Sequence, residues 1–178
     1  MKKSAVFLDR DGVINRNDRG PVNSPSELVL YPKAAEAIRA LKQAGFPLFV
    51  VTNQGGVGLG YLSKEELEEI HRYLIAEVES AGGAIDDIVA CIHDPSAGCD
   101  CRKPKPGMIF ALAEKYGLDL KTSYMVGDRD TDIQAGRAAG TKTVFVGATD
   151  RAPKEADYVA PDLWTAAQWI LDQRATKS

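Results

Sequence analysis

The sequence predicts an α/β fold, a three-layer α/β/α sandwich around a doubly wound and mainly parallel sheet. Three observations carry that prediction: short apolar runs that hardly alternate, longer segments of helical period between them, and polar clusters placed directly after the runs. Strands covered by helices on both faces have no water side, so they lose the alternation of apolar and polar residues. Crossovers between parallel strands are right-handed almost without exception, and a βαβα order then builds a doubly wound sandwich.

Taken in order, the first run is Ala5 to Leu8, a strand that ends at Asp9. Ala34, Ile38 and Leu41 recur at helical spacing before Gly45, a residue suited to the position just past a helix C-terminus. Pro47 to Val51 is the second strand. Ser63 and Glu66 form a capping box, opening a helix with Leu67, Ile70, Leu74 and Val78 on one side. Ile88 to Ala90 is the third strand, and a helix follows from about Met108 to Tyr116. Ser123 to Val126 is the fourth strand, with a helix from about Thr131 to Ala139 before Gly140. Thr143 to Val146 is the fifth strand, and a last helix runs from about Leu163 to Asp172.

At 178 residues and 44% hydrophobic content, the chain is expected to form one domain, residues 1–178, with a substantial core. There is no internal repeat and no low-complexity linker. A formal net charge of -3 lacks the basic excess of nucleic-acid binders, so the expected partner is a small soluble metabolite and no nucleic acid. Met1-Lys2-Lys3-Ser4 is followed by too few apolar residues before Asp9 for a signal peptide or membrane span. A cytoplasmic monomer away from the membrane is therefore expected.

In a doubly wound sheet, ligands bind outside the carboxyl ends of the strands. Asp9-Arg10-Asp11-Gly12 follows the first strand. Two acids that close repel each other; a divalent cation would relieve them, and an Asp-rich turn with Gly12 at positive φ is the other reading. Thr52, ahead of Gln54-Gly55-Gly56, offers a hydroxyl and free backbone N–H groups to an anion, although a glycine turn by itself can be only a turn. Lys103 precedes Pro104 and Pro106, whose rings stiffen the backbone that presents it. Gly127-Asp128-x-x-x-Asp132 adds acids after the fourth strand, where Asp130 or Asp132 could simply complement a helix N-terminus. Together the clusters make a site of oxygen ligands, a hydroxyl, a lysine and a spare carboxylate. That set suits phosphoryl transfer with Mg²⁺, which lets an anionic nucleophile approach an anionic ester.

All three cysteines fall in one stretch, Cys91-x-His93 and Cys99-x-Cys101, four ligands within eleven positions. Three thiolates and one imidazole satisfy a closed, structural Zn²⁺ site; a disulfide or free buried thiols are the alternatives. His71 sits mid-helix without a ligand partner at useful spacing and is read as structural or exposed.

These motifs resemble the haloacid dehalogenase (HAD) superfamily of aspartate-nucleophile phosphatases over essentially the whole chain. Its four motifs stand in order as Asp9-x-Asp11-Gly12-Val13, Thr52-Asn53, Lys103-Pro104-x-Pro106 and Gly127-Asp128-x-x-x-Asp132. The resemblance implies a HAD-like, Rossmann-like and capless fold with a zinc loop at 91–101. It further implies that Asp9 attacks phosphorus, that Asp11 is general acid and base, and that Thr52 and Lys103 hold phosphoryl oxygens. Asp9, Asp128 and the Asp11 carbonyl would hold Mg²⁺, and Asp132 would orient Lys103.

The knuckle is similar to those of two groups in that superfamily, the heptose 1,7-bisphosphate 7-phosphatases of cell-surface glycan and lipopolysaccharide precursor synthesis and the histidinol-phosphate phosphatases. Pro106-Gly107-Met108 favours the heptose group. Ile92 replaces a usual proline, and the Gly55–Gly60 loop lacks an arginine common among heptose enzymes. Substrate choice is assigned to loops, with Asn17, Gly20, Asn53, Gln54, Arg102 and Arg129 as contacts and Arg102 on the distal phosphate. A non-catalytic zinc module would have no use for both Asp9 and Asp11, and a polynucleotide phosphatase would need a basic surface.

Overall fold

The computed structural model describes residues 1–176. Six strands form a single all-parallel sheet: β1 (Val6–Leu8), β2 (Leu48–Asn53), β3 (Asp87–Cys91), β4 (Tyr124–Gly127), β5 (Lys142–Val146) and β6 (Tyr158–Ala160). Five helices connect or close them: α1 (Ala34–Gln43), α2 (Lys64–Ser80), α3 (Gly107–Tyr116), α4 (Asp130–Ala139) and α5 (Leu163–Thr176). The strand order is β3-β2-β1-β4-β5-β6, so the winding reverses between β1 and β4 and opens a crevice at their carboxyl ends.

The sheet explains the missing alternation in the apolar runs. Val6, Leu8, Leu48 and Val50 pack on one face with α1, α2 and α5, whereas Phe7, Phe49, Val51 and Met125 pack on the other with α3 and α4. The α2 capping box forms as predicted: Ser63 N–H donates to Glu66 Oε1 at 2.8 Å and Glu66 N–H to Ser63 Oγ at 3.0 Å. Helix α4 lies unusually close to the sheet, because a Cβ on Gly136 would come within 2.7 Å of Met125 Cβ.

One strand was not predicted. β6 has three residues and sits at the sheet edge, where Asp157 accepts from the Thr143 N–H at 2.8 Å and sets its register against β5. Among the described residues no separate cap unit is inserted: between β1 and α1 the only regular element is the single helical turn Pro25–Glu27, and the β2–α2 connection is a loop. No described helix is long and apolar enough to cross a membrane.

Candidate active site

The polar clusters after β1, β2, β3 and β4 meet at one rim around a cavity of about 730 Å³. Asp9, Asp11, Thr52, Gln54, Lys103 and Asp132 line it, with Asn17, Gly20, Asn53, Arg102 and Arg129 around them. Asp128 lines a second cavity of about 410 Å³ on the far side of Gly12, with Asn17 between the two.

Lys103 is the organising charge. It is 4% exposed, and its Nζ donates to Asp9 Oδ1 at 2.9 Å and to the Val51 carbonyl at 2.8 Å while pairing with Asp132 Oδ1 at 2.6 Å. Burial works against its charge, but Asp9 and Asp132 outweigh burial and hold the ammonium above its ordinary pKa. The second oxygen of Asp132 accepts the Asp128 and Arg129 N–H groups, each at 3.1 Å, so both oxygens of its carboxylate already have partners. Asn53 spends its amide on the same lysine: Oδ1 accepts from the Lys103 N–H at 3.0 Å and Nδ2 donates to the Lys103 carbonyl at 3.2 Å.

Asp9, Asp128 and Asp132 each place one oxygen within 4.8 Å of the others. Burial, then Asp9 and Asp132, push the Asp128 carboxyl well above the usual carboxylate range. Its Oδ1 is buried without a hydrogen-bond partner. A Cβ on Gly12, whose φ is +88°, would lie 2.0 Å from Asp128 Oδ2, so glycine is needed there for both its conformation and its lack of a side chain. With both Asp132 oxygens engaged by Lys103 and backbone N–H groups, Asp9 and Asp128 form a hard-oxygen pair with an unsatisfied buried acceptor, which fits Mg²⁺.

Asp11 is gripped from behind. Arg10, with 0% exposure, donates from Nε to Oδ1 at 3.0 Å and from Nη2 to Oδ2 at 3.2 Å. Asn15 Nδ2 and Gln54 Nε2 add bonds at 2.9 and 3.0 Å. Burial pushes this carboxyl up, but Arg10 and these donors together hold it below the usual carboxylate range. Gln54 also donates to Thr52 Oγ1 at 2.8 Å, which leaves the threonine O–H free to donate into the cavity. On the far side of Arg10, Nη1 donates to His71 Nε2 at 3.0 Å. Burial, then the Arg10 charge, pushes His71 down to about 4.

The knuckle closes as its spacing predicts. Cys91 Sγ lies 3.5 Å from His93 Nδ1 and from Cys99 Sγ, Cys101 Sγ lies 3.1 Å from His93 Nδ1 and 3.7 Å from Cys99 Sγ, and the Cys91–Cys101 edge is shorter, at 2.8 Å. A tetrahedron with zinc–sulfur bonds of about 2.3 Å has sulfur–sulfur edges of roughly 3.8 Å. All three cysteines are free thiols in the structure, and the His93 ring nitrogen stands among them. Cys99 is drawn down to about 6: burial opposes the shift, and the Arg102 N–H and the other thiols outweigh it. Cys101 is pushed up to about 12 by burial and by Cys91 and Cys99. Three thiolates cannot coexist there without a cation, so the donor set fits Zn²⁺.

This loop also supports the cavity wall. A Cβ on Gly58 would lie 2.2 Å from the Asp94 nitrogen, and one on Gly55 would lie 2.9 Å from Pro95 and 3.3 Å from Arg102 Nη1. The glycine-rich β2–α2 loop therefore rests on the knuckle, with the Arg102 guanidinium at the cavity edge. Sequence reasoning missed Arg10 and His71. The available signal was the position of His71 on the apolar face of α2, four residues after Leu67 and three before Leu74.

Residues 100–166 match the HAD-hydrolase-like family model. The chain is 43% identical over 146 residues to the D-glycero-beta-D-manno-heptose-1,7-bisphosphate 7-phosphatase of Pseudomonas aeruginosa, covering 82% of each. It is 35% identical to the enzyme of the same name from Escherichia coli K12, covering 98% of this chain and 93% of that one. The D,D-heptose 1,7-bisphosphate phosphatase of B. bronchiseptica, solved with magnesium and phosphate, superposes with a TM-score of 0.89 at 34% identity, covering 96% of this chain and 99% of that one.

Proposed function

The chain belongs to the heptose 1,7-bisphosphate phosphatase family of HAD-like hydrolases, and from that premise we propose that it removes the 7-phosphate of D-glycero-D-manno-heptose 1,7-bisphosphate through an aspartyl phosphate on Asp9. The observation that carries this reading is the Asp9 carboxylate at the floor of the cavity, with one oxygen fixed by Lys103 and the unsatisfied Asp128 beside it. The charge on Lys103 also draws the phosphoryl group towards Asp9.

Asp9 attacks phosphorus in line, and the bond to the sugar oxygen breaks as the new bond forms. Lys103 and the free O–H of Thr52 take the equatorial oxygens, where charge grows in the transition state. Asp11 delivers a proton to the leaving alkoxide. The arriving phosphate adds negative charge beside Asp11 and raises its proton affinity, so proton uptake accompanies binding. Once ionised, Asp11 takes a proton from the water that attacks the aspartyl phosphate, and Asp9 is regenerated. Mg²⁺ held by Asp9, Asp128 and the Asp11 carbonyl would supply the positive charge that lets carboxylate and phosphate approach. Cys91, His93, Cys99 and Cys101 would hold Zn²⁺, which would fix the loop that leads into Arg102 and Lys103. Arg102 and Arg129, which form no ion pair among the described residues, meet the distal phosphate at the cavity mouth.

Phosphate release in the presence of Mg²⁺, measured in parallel on heptose 1,7-bisphosphate and L-histidinol phosphate, tests the assignment. Higher kcat/KM on the heptose ester is expected. Preference for histidinol phosphate would overturn the substrate, and no turnover of either would overturn the enzyme.

A further inference from the structure

Arg10 is the largest fully buried side chain among the described residues, and the reaction above gives it no contact with substrate. A guanidinium removed from water is costly unless its N–H groups are matched. Here its fork is matched on both sides: Asp11 takes Nε and Nη2, and His71 Nε2 takes Nη1. A guanidinium can only donate, so His71 Nε2 is the acceptor and its proton sits on Nδ1. His71 lines neither of the two cavities described above and stands between buried Ile70 and Leu74 on a helix fixed to the core.

We propose that His71 is a positioning residue for the general acid and base: through the planar Arg10 fork it fixes where the Asp11 carboxyl group meets the leaving oxygen. The inference rests on the phosphatase reading above. The physical reason is rigidity. Asp11 must come within hydrogen-bond reach of one oxygen, and a misplacement of about 1 Å can cost on the order of 100-fold. Without an acceptor at position 71, Nη1 is left buried and unmatched, and the fork turns away to find another partner. The Asn15 and Gln54 side chains hold Asp11 from its other side but cannot stop that rotation, because neither bonds the Arg10 guanidinium; the Asn15 N–H reaches only the Arg10 carbonyl, at 3.2 Å.

The test compares His71→Phe, which removes the acceptor, with His71→Gln, whose side-chain carbonyl can replace it. Measured as kcat/KM, which reports transfer to Asp9, the two esters are heptose 1,7-bisphosphate and p-nitrophenyl phosphate. The sugar alkoxide needs a proton to leave; nitrophenolate does not. His71→Phe is expected to lose about 10- to 100-fold on the sugar ester and to keep its value on p-nitrophenyl phosphate, which also certifies that the variant is folded. His71→Gln should recover most of the loss. An equal fall on both esters, no fall on either, or a glutamine variant no better than phenylalanine would each overturn the proposal. If the unaltered protein hydrolyses neither ester, the phosphatase reading fails and takes this inference with it.

Discussion

Lys103 sets one positive charge against Asp9 and Asp132, with Asp128 close by, and the site's balance turns on it. Lys103→Met should lower kcat by about 100- to 1000-fold, the usual cost of a preorganised donor. Steady-state rates on protein checked for intact zinc and circular dichroism would show it, and a fall of less than about 10-fold would remove Lys103 from the transition state. His71 makes a second prediction at this scale. It titrates at about 4 in the fold and near 6.5 when unfolded, so the unfolded chain binds its proton first as pH falls. Stability tied to His71 is therefore complete above pH 6.5 and lost as pH drops towards 4. Urea unfolding should show the protein losing about 2 kcal/mol more than His71→Gln between pH 7 and pH 5; equal losses would contradict a buried neutral imidazole. Such a residue is hard to read from sequence. The spacing of Leu67, His71 and Leu74 places it on a buried face, yet nothing in that spacing says that its partner is Arg10.

Among the elements, the knuckle joins two loops that carry the site. Cys91 ends β3, Cys101 leads through Arg102 into Lys103, and Gly58 rests on the backbone of Asp94. Structural zinc contributes roughly 10 kcal/mol or more to such loops. Removing zinc with a chelator should lower the melting temperature and cut turnover at least tenfold, without recovery on adding Mg²⁺ alone. Full activity in metal analysis-verified zinc-free protein would separate the knuckle from catalysis. At this scale the sequence was informative where patterns are long. Capping residues and helical period located α2, and the terminal glycines located the ends of α1 and α4. β6 escaped because three residues between Asp157 and Pro161 have no period to read, and only their pairing with β5 makes them a strand.

In the whole molecule, the strand order does the assembling. Asp9, Thr52, Lys103 and Asp128 are far apart in the chain, and they meet because β1, β2 and β4 are neighbours and run parallel. Four polar clusters after four apolar runs announced this rim, since a parallel sheet puts all its carboxyl ends on one side. The division of labour within the rim was less legible. Asn53 and Gln54, expected as substrate contacts, line the cavity, and nothing in their spacing says that their amides also bond Lys103, Asp11 and Thr52. On the proposed reaction, this convergence makes Asp9 a nucleophile. Protein quenched in acid during turnover of heptose 1,7-bisphosphate and digested at low pH should yield, by mass spectrometry, the Asp9 peptide with one phosphoryl group that hydroxylamine removes. A phosphoryl group on any other residue, or undiminished phosphate release by Asp9→Asn, would contradict it.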